Sequence, residues 1–422
     1  MLRKLEENLD LPPSTPPRNE PSTLLTPTIP PLFKPLIPFI KLQLCLCNYL
    51  VTIPFEWDED KNRVRLLKSK KHLRLCKAQI TIHVAYTLLM MGHFLSPENQ
   101  KTTKNATRMV GLAFLVCFGA TMLMRLAFWQ RKAEVVHLLN NYVAFENTYF
   151  PPCRPQLKGD KVSKALMTLG LLTSAGLPGL MCTMLFVSPC KPPHLAYILF
   201  SEGVDGEGCA VPRWPIRVSL LLFDTWMWAN CITPACFFAF QVFFPGLKCL
   251  SFYIQRLNSV FHCHPGTPTF VSTAAKDRFC FHVYQHLRIL GKLYNFCLQS
   301  IFIPTQISAA CMVIIIGLYT CIKLHSQVPM PGFAFFPLLS LDGFAMIFIS
   351  QVAAGVLTRS KSFVEGTRKS KSYRRRSWFR KMARASYLIK IRFGSTNFID
   401  KMTPLVYMNF CLTQTVSLII LT

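Results

Sequence analysis

Seven apolar runs, each roughly 20 residues or longer, constrain this chain more than any other feature, because a bilayer core about 30 Å thick takes about 20 helical residues to cross. They are Ala78–Ser96, Met109–Trp129, Ala165–Val187, Val218–Phe244, Leu298–Ile322, Phe333–Leu357 and Met402–Leu421, interrupted only by Arg125, Asp224 and Asp342. One such run fits the interior of a soluble protein; seven, separated by charged connections, do not. A content of 51% hydrophobic and 16% charged residues agrees, since water-soluble domains carry about 25% charge. The expected fold is all-α, with seven transmembrane helices, multi-pass in the plasma membrane.

Seven crossings put the two ends on opposite sides. Of 47 Lys and Arg residues, the N-terminal segment and alternate connections hold 39, the other connections hold 7, and Arg125 lies inside a run. The positive-inside rule assigns the rich set, and with it the N-terminus, to the cytoplasm, leaving the C-terminus extracellular. The net charge of +27, with clusters at Lys68–Arg74 and Arg368–Arg384, then reads as topogenic charge against anionic head groups rather than as a nucleic-acid footprint. Asn105-Ala106-Thr107 falls in the first outer connection and makes Asn105 a glycosylation candidate. Cys190 and Cys209 share the long third connection and are the disulfide candidates. The polar, proline-rich opening lacks the pattern of a signal peptide, so the first run would serve as the insertion signal.

Three regions are expected: a disordered cytoplasmic stretch over 1–31, a cytoplasmic or re-entrant pre-helix segment over 32–77, and a seven-helix domain over 78–422. Leu36–Thr52 is apolar but short and contains Pro38, which predicts a re-entrant or membrane-surface helix rather than an eighth span. In Pro245–Cys297, Leu247, Leu250, Tyr253, Ile254 and Leu257 recur at helical spacing, predicting cytoplasmic extensions of the fourth and fifth helices. Apolar faces beyond the bilayer need a partner, so these extensions are expected to form an anchor region that holds subunits together.

Few residues carry chemistry. His262, Cys263 and His264, and the pair His282 and His286, have ligand-like spacing without an acidic partner and read as surface histidines, not as a metal site. No cofactor is implied, and no pairing of carboxylates or Cys with His points to an enzyme. A carboxylate inside a span is costly and faces a cavity, a partner or a path. Asp224, near Arg217, admits a second reading as an interfacial residue, so Asp342 is the stronger functional candidate. Asn409, Thr413 and Ser417 recur every four residues and share one face of the last helix, with Gln414 beside them. That face must meet another helix or water, leaving interhelical packing and a pore lining both open.

Ile399-Asp400-Lys401 followed by Thr413 resembles the C-terminal signature of arthropod gustatory and odorant receptors. In that family an Ile-Asn-Arg precedes the helix, and a Thr-Tyr, five apolar residues and Gln-Phe close it. Here Gln414 replaces the Tyr and Ile420-Leu421 replace Gln-Phe. Pro54-Phe55-Glu56-Trp57-Asp58 is similar to the stretch before the first helix of gustatory receptors. The resemblance implies a gustatory-type chemosensory subunit of a homo- or heterotetrameric cation channel, gated by a small tastant or odorant. It also implies a seventh-helix pore in which Ser417 matches the gate and Ile420 a position usually polar. Ligand-pocket candidates, from polarity and aromaticity in the outer halves of helices, are Trp226, Trp228, Asp342 and Phe344. The alternatives are an odorant rather than a taste receptor, an ion-coupled transporter using Asp224 and Asp342, and a G-protein-coupled receptor. The last is opposed by the charge split and by the lack of Asn-Pro-x-x-Tyr in the seventh run.

Overall fold

The computed structural model describes residues 32–96, 105–149, 161–187, 194–200, 214–262, 273–328, 330 and 332–421. The 1–31 stretch, Cys190, Cys209, Cys263 and His264 lie outside the described residues. A short 3-10 turn, Lys34–Leu36, leads into α1 (Ile37–Tyr49). Strands β1 (Phe55–Asp58) and β2 (Arg63–Leu66) form an antiparallel hairpin pairing Phe55 with Leu66 and Trp57 with Val64. Helices follow: α2 (Lys70–Leu95), α3 (Asn105–Gln130), α4 (Lys132–Tyr149), α5 (Lys161–Val187), α6 (Leu195–Phe200) and α7 (Trp214–Cys236). A π-helical segment, Phe237–Phe243, joins α7 to α8 (Phe244–His262). After α9 (Thr273–Leu298) come α10 (Phe302–Lys323), α11 (Gly332–Lys369), α12 (Lys371–Arg375), α13 (Ser377–Ala385), the two-residue strands β3 (Arg392–Phe393) and β4 (Asn397–Phe398), and α14 (Thr403–Leu421).

Seven of these helical rods are long and apolar enough to cross a membrane. Their boundaries differ from the apolar runs for physical reasons. α2 begins eight residues before the first run because the Ser69 side chain accepts from His72 N and caps it. The fourth rod is continuous from Trp214 to His262, 49 residues, or roughly 70 Å at 1.5 Å per residue, more than twice the bilayer core. The sixth, α11, has 38 residues and runs well past Leu357. The fifth is broken instead: α9 ends at Leu298, a turn intervenes, and α10 starts at Phe302 with Pro304 in its first turn, where a missing N–H costs nothing.

The π segment lies between Pro234, inside α7, and Pro245, at the start of α8. Prolines remove backbone donors, and hydroxyls take up the carbonyls nearby: Tyr294 donates to Phe243 O at 3.0 Å and Tyr142 to Gly246 O at 3.1 Å. The wider turn points five phenylalanines, at 237, 238, 240, 243 and 244, into the core, and Phe238 stacks on Phe128 at 3.7 Å. Contact between α10 and α11 requires small residues. A methyl group on Gly317 would lie 2.0 Å from Ser340 Oγ, and one on Gly343 would lie 2.6 Å from Ile314.

α1 does not stop at Pro38; the proline sits in its first turn, a position that suits it. Thirteen residues reach about 20 Å, too short to cross. The helix is wedged into the bundle, where fully buried Gln43 donates to Ser174 Oγ at 2.8 Å and to Thr233 O at 3.0 Å. Ahead of it, the buried carboxylate of Glu146 accepts from Leu32 N at 2.6 Å, Phe33 N at 2.5 Å, Lys34 N at 3.0 Å and the Tyr253 hydroxyl. These bonds fasten the entering chain to α4 and α8.

The basic stretch from Thr358 to Lys401 is built rather than looped. α11 continues to Lys369, α13 buries Phe379 and Ala383 while Arg380, Lys381 and Arg384 face outward, and Phe379 meets Phe281 of α9 at 4.9 Å. Asn295 holds the strand that follows, donating to Lys390 O at 2.7 Å and accepting from Arg392 N at 2.9 Å. Gly394, at φ +66°, turns β3 into β4 in a conformation that suits glycine. Asp400 then caps α14: its Oδ1 accepts from Thr403 N at 2.9 Å and Thr403 Oγ1 at 2.6 Å. Hydrogen bonds from the Thr403 hydroxyl and backbone hold the Asp400 carboxyl below its ordinary pKa.

Candidate functional site

Two features qualify as functional: a cavity between the spanning helices and an outward polar face on α14. The cavity, about 90 Å³ and partly open, is lined by α3, α5, α7 with its π segment, α10 and α11. Its polar lining is Asp342, Thr173, Thr121, Gln306 and the thiols Cys117 and Cys236; its apolar lining includes Leu177, Ile232, Phe240 and Met346. Thr173 Oγ1 donates to Asp342 Oδ1 at 3.1 Å. Gln306 Oε1 is buried and has no hydrogen-bond partner. The lining contains no Lys, Arg or His, so Asp342 supplies its only formal charge.

Of the four nominated pocket residues, Asp342 alone lines this cavity. Trp228 is 1% exposed and packs among Phe114, Phe118 and Phe335, with centroids 5.1 to 5.6 Å apart, as part of the helix core. Trp226 is half-buried against Phe223, and Phe344 is half-buried on the outside of the same core. The sequence reading missed Gln306, Thr173 and Phe240. A Gln inside an apolar run, two residues after Pro304, was the available signal for the first.

Asp224 does not reach for the interface beside Arg217, whose guanidinium donates to Phe186 O instead. It is 3% exposed and accepts from the Tyr86 hydroxyl at 2.7 Å and from Leu195 N at 3.2 Å, tying α2, α6 and α7 together. It also edges a pocket of about 220 Å³ with Trp214 and Arg217, near the opening of α7. A larger open groove, about 690 Å³, runs along α9 and the 387–392 segment between Arg288, Lys292, Lys390 and Arg392.

On α14 the buried positions are Pro404, Cys411 and Thr415, which dock on α10 and α11. Asn409, Thr413 and Gln414 are exposed, Ser417 is half-buried and Ile420 is 76% exposed. The polar stripe therefore points away from the chain's own bundle. Asn105 opens α3 instead of sitting in a connection. The His282 and His286 rings lie tilted against each other with centroids 4.6 Å apart, and the Tyr149 hydroxyl meets His282 Nδ1 at 2.9 Å. Burial, with His282 alongside, lowers the pKa of His286. Among the described residues no three His, Cys, Asp or Glu side chains gather as a metal site.

No protein-family model matches the chain, and no curated protein matches it. Solved structures do. The insect olfactory receptor OR5 from Machilis hrabei superposes with a TM-score of 0.55 at 13% identity, covering 92% of this chain and 100% of that one. The same receptor in complex with eugenol gives 0.54 at 12% identity with the same coverage. The chain has the insect olfactory receptor fold. The superposition on the olfactory receptor fold runs over nearly the whole length of the chain.

Proposed function

We propose that the chain is a subunit of a chemosensory receptor of the insect gustatory and olfactory type, acting as a small-molecule-gated cation channel in the plasma membrane. The observation that carries this is the α14 stripe. Asn409 and Thr413 are exposed although they sit mid-span, and lipid cannot answer their hydrogen bonds. A ring of copies that turns these faces toward a common axis answers them with water and gives cations a polar path. The charge split, 39 against 7, orients the N-terminus to the cytoplasm. The projecting halves of α8, α9 and α11 then supply the cytoplasmic anchor of a tetramer of this chain or of this chain with related subunits.

In this reading the cavity at Asp342 receives the small tastant or odorant, and the protein performs no catalysis. Ser417 stands at the gate and Ile420 at a ring position that is polar in the resembled family; an apolar Ile there favours assembly with a partner subunit that supplies the polar groups. The test is patch-clamp recording from cells expressing the chain alone and with candidate partners, under a panel of tastants and odorants. Ligand-dependent cation current without G-protein signalling, changed in conductance by Ser417→Ala, is the expected outcome. Surface expression with no current in any combination overturns it.

A further inference from the structure

The composition of the cavity lining specifies what chemistry fills it. The one lining side-chain atom buried without a partner is an acceptor and the only formal charge is negative, while the Cys117 and Cys236 thiols and the Thr121 hydroxyl are the donors beside them. Asp342 offers a carboxylate with a single hydroxyl donor on one oxygen, and Gln306 Oε1 is buried with no donor at all. No cationic side chain is among the lining residues, so nothing in the protein neutralises Asp342 from inside the cavity. The remaining walls are apolar and include the ring of Phe240. A carboxylate at this depth is costly without a counter-charge, and an acceptor-rich, apolar-walled space is complementary to a donor-rich cation that carries a hydrocarbon tail.

Two kinds of cation meet the charge. An inorganic ion such as Ca²⁺ takes six to eight oxygen ligands, and this lining presents two oxygens from Asp342, one from Gln306 and hydroxyls already engaged or small. An alkylammonium needs only three acceptors, gains from an aromatic face within about 6 Å, and places its carbons against Leu177, Ile232 and Met346. Size sets a limit: an apolar cavity of about 150 Å³ takes benzene, so about 90 Å³ holds an amine head and two or three carbons, with a further carbon reaching into the opening of the partly open pocket.

We infer that the Asp342 cavity binds a protonated short-chain primary amine, with Asp342 and Gln306 as its polar partners. This rests on the chemoreceptor reading for the consequence of binding, though not for binding itself. The two are separated by using two readouts. In the first, purified full-length protein is heated in detergent with isobutylamine and with isobutanol, its neutral shape match. Isobutylamine is expected to stabilise the wild type at concentrations about 10- to 100-fold lower than isobutanol, the range of one charged hydrogen-bonded pair. Asp342→Asn is expected to erase that difference and Asp342→Glu to keep part of it. In the second readout, the same pair of compounds is applied during current recording.

Equal stabilisation by amine and alcohol in the wild type overturns the inference, and so does a preference that survives Asp342→Asn. Because the wild-type comparison alone decides the first point, a poorly folding variant does not rescue the idea. Amine-selective stabilisation without current sustains the site and counts against the channel. Current evoked by other compounds, with no amine preference in either assay, sustains the channel and sinks the amine.

Discussion

Two polar rows cross the membrane-spanning part of this molecule, and they are treated in opposite ways. The inner one joins Gln43, Ser174, Arg125, His83, Thr52 and Asn230. Arg125 donates to His83 Nδ1 at 3.1 Å, Thr52 O at 3.2 Å and Asn230 O at 3.4 Å, and is 3% exposed. In the outer row on α14, Asn409 and Thr413 are exposed and Ser417 is half-buried at its far end. In hydrocarbon both rows carry the same penalty for unmet hydrogen bonds. The inner row is answered in large part by the chain itself, with Gln43 Oε1, His83 Nε2, Arg125 Nε and Asn230 Oδ1 left without protein partners, and so belongs to folding. The outer row is answered by nothing in the chain and so belongs to assembly and conduction.

The comparison is broken most severely where chain entry depends on one carboxylate. Glu146→Ala removes the acceptor for three backbone N–H groups and the Tyr253 hydroxyl in a fully buried place. A loss of about 4 kcal/mol is expected, read as collapse of the monodisperse peak in detergent chromatography. A variant that stays folded with an unchanged melting temperature would remove the N-terminal segment from the folding unit. Arg125→Met is next, at about 3 kcal/mol, because it strands the Thr52 and Asn230 carbonyls while preserving length and apolar contact. Retention of wild-type stability in that variant would show that the inner row is not structural, and the contrast with α14 would fail.

How much of this was legible beforehand follows from what sequence can encode locally. The seven spans were readable because burial in lipid writes itself as uninterrupted hydrophobicity, and the stripe on α14 because helical period fixes which residues share a face. Where that face points was not readable: Cys411 and Thr415, equally innocuous in sequence, turned out to be the docked side. The β1–β2 hairpin escaped notice, although Phe55 and Asp58 are buried while Glu56 and Trp57 are half-exposed, and Asn62 takes the left-handed turn position at φ 48°. The π segment left no sign beyond two prolines eleven residues apart. Trp228 was nominated for a pocket because aromatics in outer halves suit ligands, yet the same property suits a packed core. Asp342 was nominated on a different ground, that a span carboxylate has fewer explanations, and it lines the cavity between the helices.

Beside the inner row lies a backbone position where the chain can be improved. Val51 follows the end of α1 with φ at 54°, the left-handed site where helices prefer glycine and a β-branched residue is strained. Its neighbours fix it: Thr52 N bonds Cys47 O at 2.9 Å, Gln79 donates to Leu50 O at 2.7 Å, and Arg125 holds Thr52 O. Val51→Gly is expected to raise stability by about 1 kcal/mol, net of glycine's greater freedom in the unfolded chain. A thermal shift upward in the same detergent checks it. A drop would mean that the valine side chain contributes more packing than its backbone costs.

The smallest expected effect on stability is also the sharpest test of the contrast. Asn409→Leu and Thr413→Val replace outward polar groups by apolar ones of similar size at exposed positions of α14. The single chain should unfold within about 0.5 kcal/mol of wild type, as exposed substitutions do, or become slightly more stable in lipid. In the assembled receptor the same changes dry the proposed path, so single-channel conductance should fall several-fold with surface expression intact. Melting measured on the dissociated subunit against conductance measured in membranes separates these two consequences. If Thr413→Val destabilises the lone chain as Arg125→Met does, then α14 folds back onto a partner surface within its own bundle, and the outer row is a second inner one. If stability and conductance are both unchanged, the stripe faces lipid idly and the pore must be sought on another helix.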